Sequence, residues 1–146
     1  LTVIGKSPPG ELLSAAAESG SRIEVTGYVD DPRPYLAETA AFVVPLHAGG
    51  GMRVKIVEAW LWGLPIVSTT IGAEGINYTA GVDLVIADGP AQFAEAVIDV
   101  MSKPHWAASL AASGRRTAEA SYNWSDVYQS WGRIYAGERA IQGLVV

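Results

Sequence analysis

An α/β fold built on a parallel sheet is predicted by three features of the chain. Short runs rich in Val and Ile alternate with longer helix-like stretches. These runs are not strictly alternating in polarity, the pattern of strands buried on both faces. Most of them stop at a Gly or Pro, as strands do where a turn begins. Alternation of strand and helix implies parallel pairing with helical cover. The expectation is a Rossmann-like parallel sheet of about five strands with helices on both faces.

In chain order, the first strand is expected over residues 1–4, before Gly5. Residues 11–19 place Leu12, Leu13, Ala16 and Ala17 on one side of a helix. "IEVT", residues 23–26, reads as the second strand and ends at Gly27. In "DDPRPYLAETA", Asp31 is the expected N-cap and Pro32 the first helical residue. "FVV", residues 42–44, is the third strand, ending at Pro45. A helix over 53–62 follows, then strands over 65–68 and 84–87. Residues 90–103 set Phe93, Ala94, Val97, Ile98 and Met101 along one helical face. Helix is expected again from Trp106 to Ala120, and once more after a cap at Ser125. There Trp124, Tyr128, Trp131 and Tyr135 recur at helical spacing, while "GLVV" reads as a frayed tail. Between residues 68 and 84, "TTIGAEGINYTAGVD" has no clear helix, and a loop of that length after a strand is more often functional than idle.

Composition narrows the function classes. The 146 residues make one domain's worth of chain, and 49% are hydrophobic, as a globular core requires. A net charge of −5 with scattered cations argues against nucleic acid as a partner. The absence of cysteine excludes a disulfide scaffold, thiol catalysis and cysteine zinc sites, and fits a cytoplasmic protein. No apolar run is long enough to cross a bilayer. The chain opens directly on a strand without Met, which reads as a fragment of a longer protein.

The chemistry concentrates in "HAGGGMRVKIVEAWLWGLPIVST". Ligands of open parallel sheets bind beyond the carboxyl ends of the strands, which selects the loops 27–31, 46–52 and 69–77. Gly49, Gly50 and Gly51 lie between a strand and a helix start. They either make a tight turn or let backbone amides approach a phosphate at the helix's positive end. Arg53 and Lys55 stand where a structural helix would prefer acids, so a bound anion would explain them. Lys55 also lies three residues before Glu58, close enough for a plain intrahelical pair. Glu58 is a lone carboxylate among apolar neighbours from Val54 to Trp62, expected to be buried. It is read either as a ligand for ribose hydroxyls or as half of a buried ion pair. His47 on the same loop, His105 and Glu74 are read mainly as structural or solvent-exposed, and Trp60 and Trp62 as core.

Gly27, Tyr28, Val29, Pro45, Gly49 to Gly51, Lys55, Glu58-Ala59, Gly63 and Pro65-Ile66-Val67 occur in the order found in group 1 glycosyltransferases. From Leu1 to about Tyr135 the chain resembles the donor-binding, C-terminal half of their GT-B fold. The resemblance implies an enzyme of hexosyltransferase type that moves a sugar from a nucleoside-diphosphate sugar to an acceptor. It places Glu58 on the ribose and Gly49, Gly50, Gly51 and Met52 at the diphosphate and sugar. Gly27 and Tyr28 would lie beside the nucleobase, with Lys55 and Arg53 on phosphate or sugar. It implies retention of anomeric configuration, no metal and no cofactor beyond the donor. The acceptor, a sugar, lipid or polysaccharide, would bind an N-terminal domain absent here, as would be the first strand–helix unit. The fragment alone would then be inactive. The full protein would be cytoplasmic and part of polysaccharide biosynthesis, with peripheral association at the inner membrane face. In many members an acid faces the donor sugar eight residues before the ribose acid, and here that position is Gly50. Two other classes share the pattern: a non-catalytic nucleotide-binding or regulatory α/β domain, and half of a sugar-nucleotide epimerase.

Overall fold

The computed structural model describes residues 1–122. The helix expected after Ser125, its aromatic stripe and the "GLVV" tail lie outside the described residues. The chain divides into two compact units, one spanning Leu1–Glu38 and the other beginning at Thr39.

In the first unit, β1 (Thr2–Ile4) pairs in parallel with β2 (Glu24–Gly27), Thr2 opposite Glu24 and Val3 opposite Val25. The helix between them, α1 (Gly10–Glu18), turns Leu12 and Ala16 inward and leaves Leu13 and Ala17 exposed. A short helix, α2 (Arg33–Ala37), closes the unit. Its N-cap is Pro32, one residue later than the sequence predicts. Asp31 still does the capping chemistry, because its Oδ1 accepts the Arg33 N–H at 3.0 Å. The Arg33 guanidinium also grips that carboxylate with Nε at 2.8 Å and Nη2 at 2.9 Å, holding Asp31 below the usual carboxylate range.

In the second unit, β3 (Phe42–Val44), β4 (Ile66–Ser68) and β5 (Val85–Ile86) form a parallel sheet with β4 central. Phe42 faces Ile66 across the first pair and Val67 faces Val85 across the second. The helices are α3 (Val54–Leu61), α4 (Pro90–Ser102) and α5 (Pro104–Ser121). β4 is buried at all three residues, so its unbroken apolar run is explained by burial on both faces. Val67, Val100 and Leu110 join β4, α4 and α5 in one core cluster, with Phe93, Val97 and Trp106 packed against it. The α4 face expected from spacing is only half buried: Phe93 and Val97 turn inward, while Ala94, Ile98 and Met101 are exposed.

All five expected strands are present, but they form one two-stranded and one three-stranded sheet instead of a single sheet of about five. The strands are only two to four residues long. Local patterning marks where such short strands begin, whereas partner choice is set by contacts distant in sequence. Residues 69–84 hold a single 3₁₀ turn, Ile71–Ala73, and an Ala80–Leu84 bridge, in keeping with the expected loop.

Candidate functional site

Three connections leave the carboxyl ends of β3, β4 and β5, and side chains tie them together. Thr69, just past β4, donates its hydroxyl to the Leu46 carbonyl after β3. The same oxygen accepts the Gly72 N–H at 2.8 Å. A side chain at Gly72 would collide with the Ser68 hydroxyl and the Val44 carbonyl, so only glycine permits this packing. Gly75 seats the next loop against Met52, where an added Cβ would stand 3.2 Å from the Met52 Cα. The glycine loop is thus braced by its neighbour and still solvent-exposed at Gly49, Gly50 and Gly51. Gly49 and Gly51 hold φ values of 129° and 84°, which side-chain-bearing residues rarely adopt.

The loop delivers the chain into α3, whose faces separate cleanly. Ile56, Val57, Ala59 and Trp60 are buried, whereas Val54, Lys55, Glu58, Leu61 and Trp62 are exposed. Trp60 is anchored by donating Nε1–H to the Asp83 carbonyl at 3.0 Å. Past Trp62 the helix stops in a Schellman turn, the Gly63 N–H reaching Trp60 O at 2.8 Å and the Leu64 N–H reaching Ala59 O at 3.0 Å.

Glu58 is therefore not the buried carboxylate that its neighbours suggest. The helix is apolar on both faces, and Glu58 lies on the wet one with Val54, Leu61 and Trp62, so Trp62 is not core. Lys55 shares that face, yet Lys55–Glu58 is not among the ion pairs of the described residues. Both groups stay open to a ligand.

Arg53 shows the opposite behaviour. It is only 9% exposed, although it precedes the first residue of α3. Its Nη1 donates to the Gly50 carbonyl at 2.9 Å, curling the guanidinium back along the glycine loop. A Cβ on Gly49 would come within 3.0 Å of Nη2, so the loop's lack of side chains also makes room for Arg53. Nε and Nη2 are buried without any hydrogen-bond partner. Such a cation is costly unless an anion completes it.

Sequence reasoning missed Asp88, directly beyond β5. Its carboxylate accepts the Thr70 N–H at 2.7 Å and the Thr70 hydroxyl at 2.8 Å, latching the β4 and β5 connections together. Those two bonds, helped by the charge of His47, hold its pKa below the usual carboxylate range. An acid at the carboxyl end of the last strand, "VIADGP", was the available signal. His105 and Glu74 are exposed, as read. Gly27 and Tyr28 belong to the first unit. There Gly27 O accepts the Gly5 N–H at 2.9 Å and the exposed Tyr28 ring lies 4.4 Å from the Lys6 ammonium. A pocket of about 340 Å³ between the 77–83 segment and α5, lined by Asn77, Tyr78, Asp83 and Arg116, shares no residue with the glycine loop.

A glycine loop, a helix start and three charged side chains lie together at the carboxyl edge of a parallel sheet, which sets the class as an α/β domain with its candidate site beyond the strand ends. The chain belongs to the family of group 1 glycosyl transferases, whose model matches residues 1–103. A D-inositol 3-phosphate glycosyltransferase of Frankia alni is 31% identical over 127 residues, which is 83% of this chain and 31% of that protein. The fold matches that of Anabaena Alr3699/HepE, solved in complex with UDP, with a TM-score of 0.81 at 18% identity over 93% of this chain and 40% of that one. It also matches sucrose-phosphate synthase from Thermosynechococcus elongatus, with a TM-score of 0.79 at 21% identity over 94% of this chain and 38% of that one. These are GT-B glycosyltransferase folds, and the chain spans well under half the length of each relative.

Proposed function

We propose that this chain is the donor-binding part of a glycosyltransferase that moves a sugar from a nucleoside-diphosphate sugar to an acceptor. The observation that carries the proposal is the start of α3, where a side-chain-free loop, an incompletely paired Arg53 and the exposed pair Lys55 and Glu58 meet at the sheet's carboxyl edge. In this reading the amides around Gly49, Gly50, Gly51 and Met52 approach the diphosphate and the transferred sugar, with the positive end of α3 behind them. Lys55 adds a mobile positive charge. Glu58, one turn further on, accepts hydrogen bonds from the two ribose hydroxyls. When the glycosyl bond breaks, negative charge grows on the departing diphosphate, and fixed amides and cations lower that barrier. The charge is met by protein groups, without a metal ion.

The acceptor binds elsewhere in the full protein, so the 146-residue chain alone holds donor without transferring sugar. Among the described residues no helix is long and apolar enough to cross a membrane. A cytoplasmic enzyme of polysaccharide assembly, retaining in its stereochemistry, fits this reading.

The test is calorimetric titration of the chain with UDP, GDP and ADP, repeated on Glu58→Ala. One nucleotide should bind, and the substitution should weaken it by about tenfold or more, the value of one good charged hydrogen-bond contact. Absence of binding by all three, or unchanged affinity in the variant, refutes the assignment.

A further inference from the structure

The Nε and Nη2 groups of Arg53 form one edge of its guanidinium, and that edge is unfilled. The same edge occurs filled elsewhere in this chain: Arg33 uses Nε at 2.8 Å and Nη2 at 2.9 Å to hold both oxygens of Asp31. Two parallel donors in a plane match the two oxygens of a carboxylate and fix its orientation as well as its charge. At Arg53 the third group, Nη1, is spent on Gly50 O, which aims the free edge away from that carbonyl. None of the ion pairs among the described residues involves Arg53.

The surroundings separate this fork from the other charges of the site. Lys55 and Glu58 share the exposed face of α3, while Arg53 is buried against Gly49 and Gly50. A donor laid along the exposed face has its ribose at Glu58 and its diphosphate at the helix start beside Lys55. The transferred sugar, next along the donor from the diphosphate, is the part that then meets the glycine loop around Arg53. A neutral hydroxyl oxygen completes a buried guanidinium poorly, because the cation that donates to it would remain without a counter-charge. We propose, resting on the donor reading above, that the Nε/Nη2 fork of Arg53 selects a donor sugar bearing a carboxylate, a nucleoside-diphosphate uronic acid. Gly49, Gly50 and Gly51 are the segment that yields as the carboxylate enters, since the fork is closed to solvent in the ligand-free chain.

The test uses matched donors on the 146-residue chain: UDP-glucose with UDP-glucuronate, GDP-mannose with GDP-mannuronate, and UDP and GDP alone. The uronate of the pair whose nucleotide binds should bind about tenfold tighter or more than its neutral partner. Arg53→Lys, which keeps the charge but loses the fork, and Arg53→Gln should bring that ratio close to one, because uronate affinity falls by more than free-nucleotide affinity. Thermal melts of both variants confirm folding, and the wild-type ratio needs no variant at all. Equal wild-type affinity for uronate and neutral donors, with nucleotide binding intact, overturns the proposal and leaves the donor reading standing. Loss of free-nucleotide binding in Arg53→Lys in the same proportion as uronate binding assigns the fork to the diphosphate and also overturns it. Absence of all nucleotide binding by the wild type removes the donor reading and this proposal together.

Discussion

Replacing Arg53 by Met should raise the stability of the ligand-free chain. Met has a similar length and no polar hydrogen to satisfy, so it can follow the same path under the glycine loop. Two N–H groups, Nε and Nη2, are buried without partners. Each such group costs about 1–3 kcal/mol relative to solvation. Against this stands the Nη1 bond to Gly50 O at 2.9 Å, worth about 1.5–3 kcal/mol for a charged donor. Gly50 is exposed, so water replaces that donor when it is removed. At the middle of these ranges the balance favours Met by about 2 kcal/mol, in line with buried charges exchanged for apolar side chains. Urea denaturation followed by tryptophan fluorescence reads it, with Trp60 wholly buried in the core as a reporter. A midpoint that falls by the equivalent of 1 kcal/mol or more would mean that the guanidinium is satisfied in the free protein. No anion would then be needed to complete it.

Glu58→Ala should leave the urea midpoint within about 0.5 kcal/mol of wild type, because the side chain is exposed and makes no ion pair among the described residues, so any loss of nucleotide affinity reports contact and not folding. Gly114→Ala should destabilise by about 1–2 kcal/mol in the same assay: a Cβ there would collide with the indole of Trp60, and overpacking of about 1–3 kcal/mol outweighs the helix gain of up to about 1 kcal/mol. No loss of stability would mean that α5 and α3 can slide apart. Asp88 titrates below its ordinary value of 3.8 in the folded chain, so its contribution is complete above that value and disappears as pH falls through the lowered one. A pH series of melts should show wild type losing its advantage over Asp88→Asn only below about pH 4, and a constant difference down to pH 2 would refute the Thr70 latch as the cause.

Strand positions were legible because each is a compact run rich in Val and Ile and most are cut off by Gly or Pro, as at Phe42–Val44 before Pro45. Their grouping into two sheets was not, because nothing local distinguishes β2 from β3 as a partner. The loop and helix of the site were also legible, since glycines, cations and one acid sit at fixed offsets in an otherwise apolar stretch. Asp88 was harder to see, because its importance lies in a bond to Thr70, eighteen residues away. Burial within α3 was misjudged from composition alone. When nearly every residue of a helix is apolar, hydrophobicity does not say which side faces the core.

The observed burial says it instead, and the consequence reverses the electrostatics of the site. Positions 54, 55, 58, 61 and 62 recur at intervals of three and four and form the exposed face. Positions 53, 56, 57 and 60 recur in the same way and form the buried one. Arg53 falls on the buried stripe through its register with Ile56, Val57 and Trp60, and Glu58 falls on the exposed one beside Lys55. A buried acid would have asked for a cation or for hydroxyl donors, whereas a buried cation asks for an anion. An exposed acid costs the fold little and stays free for a ligand. The unmet need for charge thus sits inside the glycine loop and not on the helix behind it, so ligand charge, and not ribose contact, is what should order this loop.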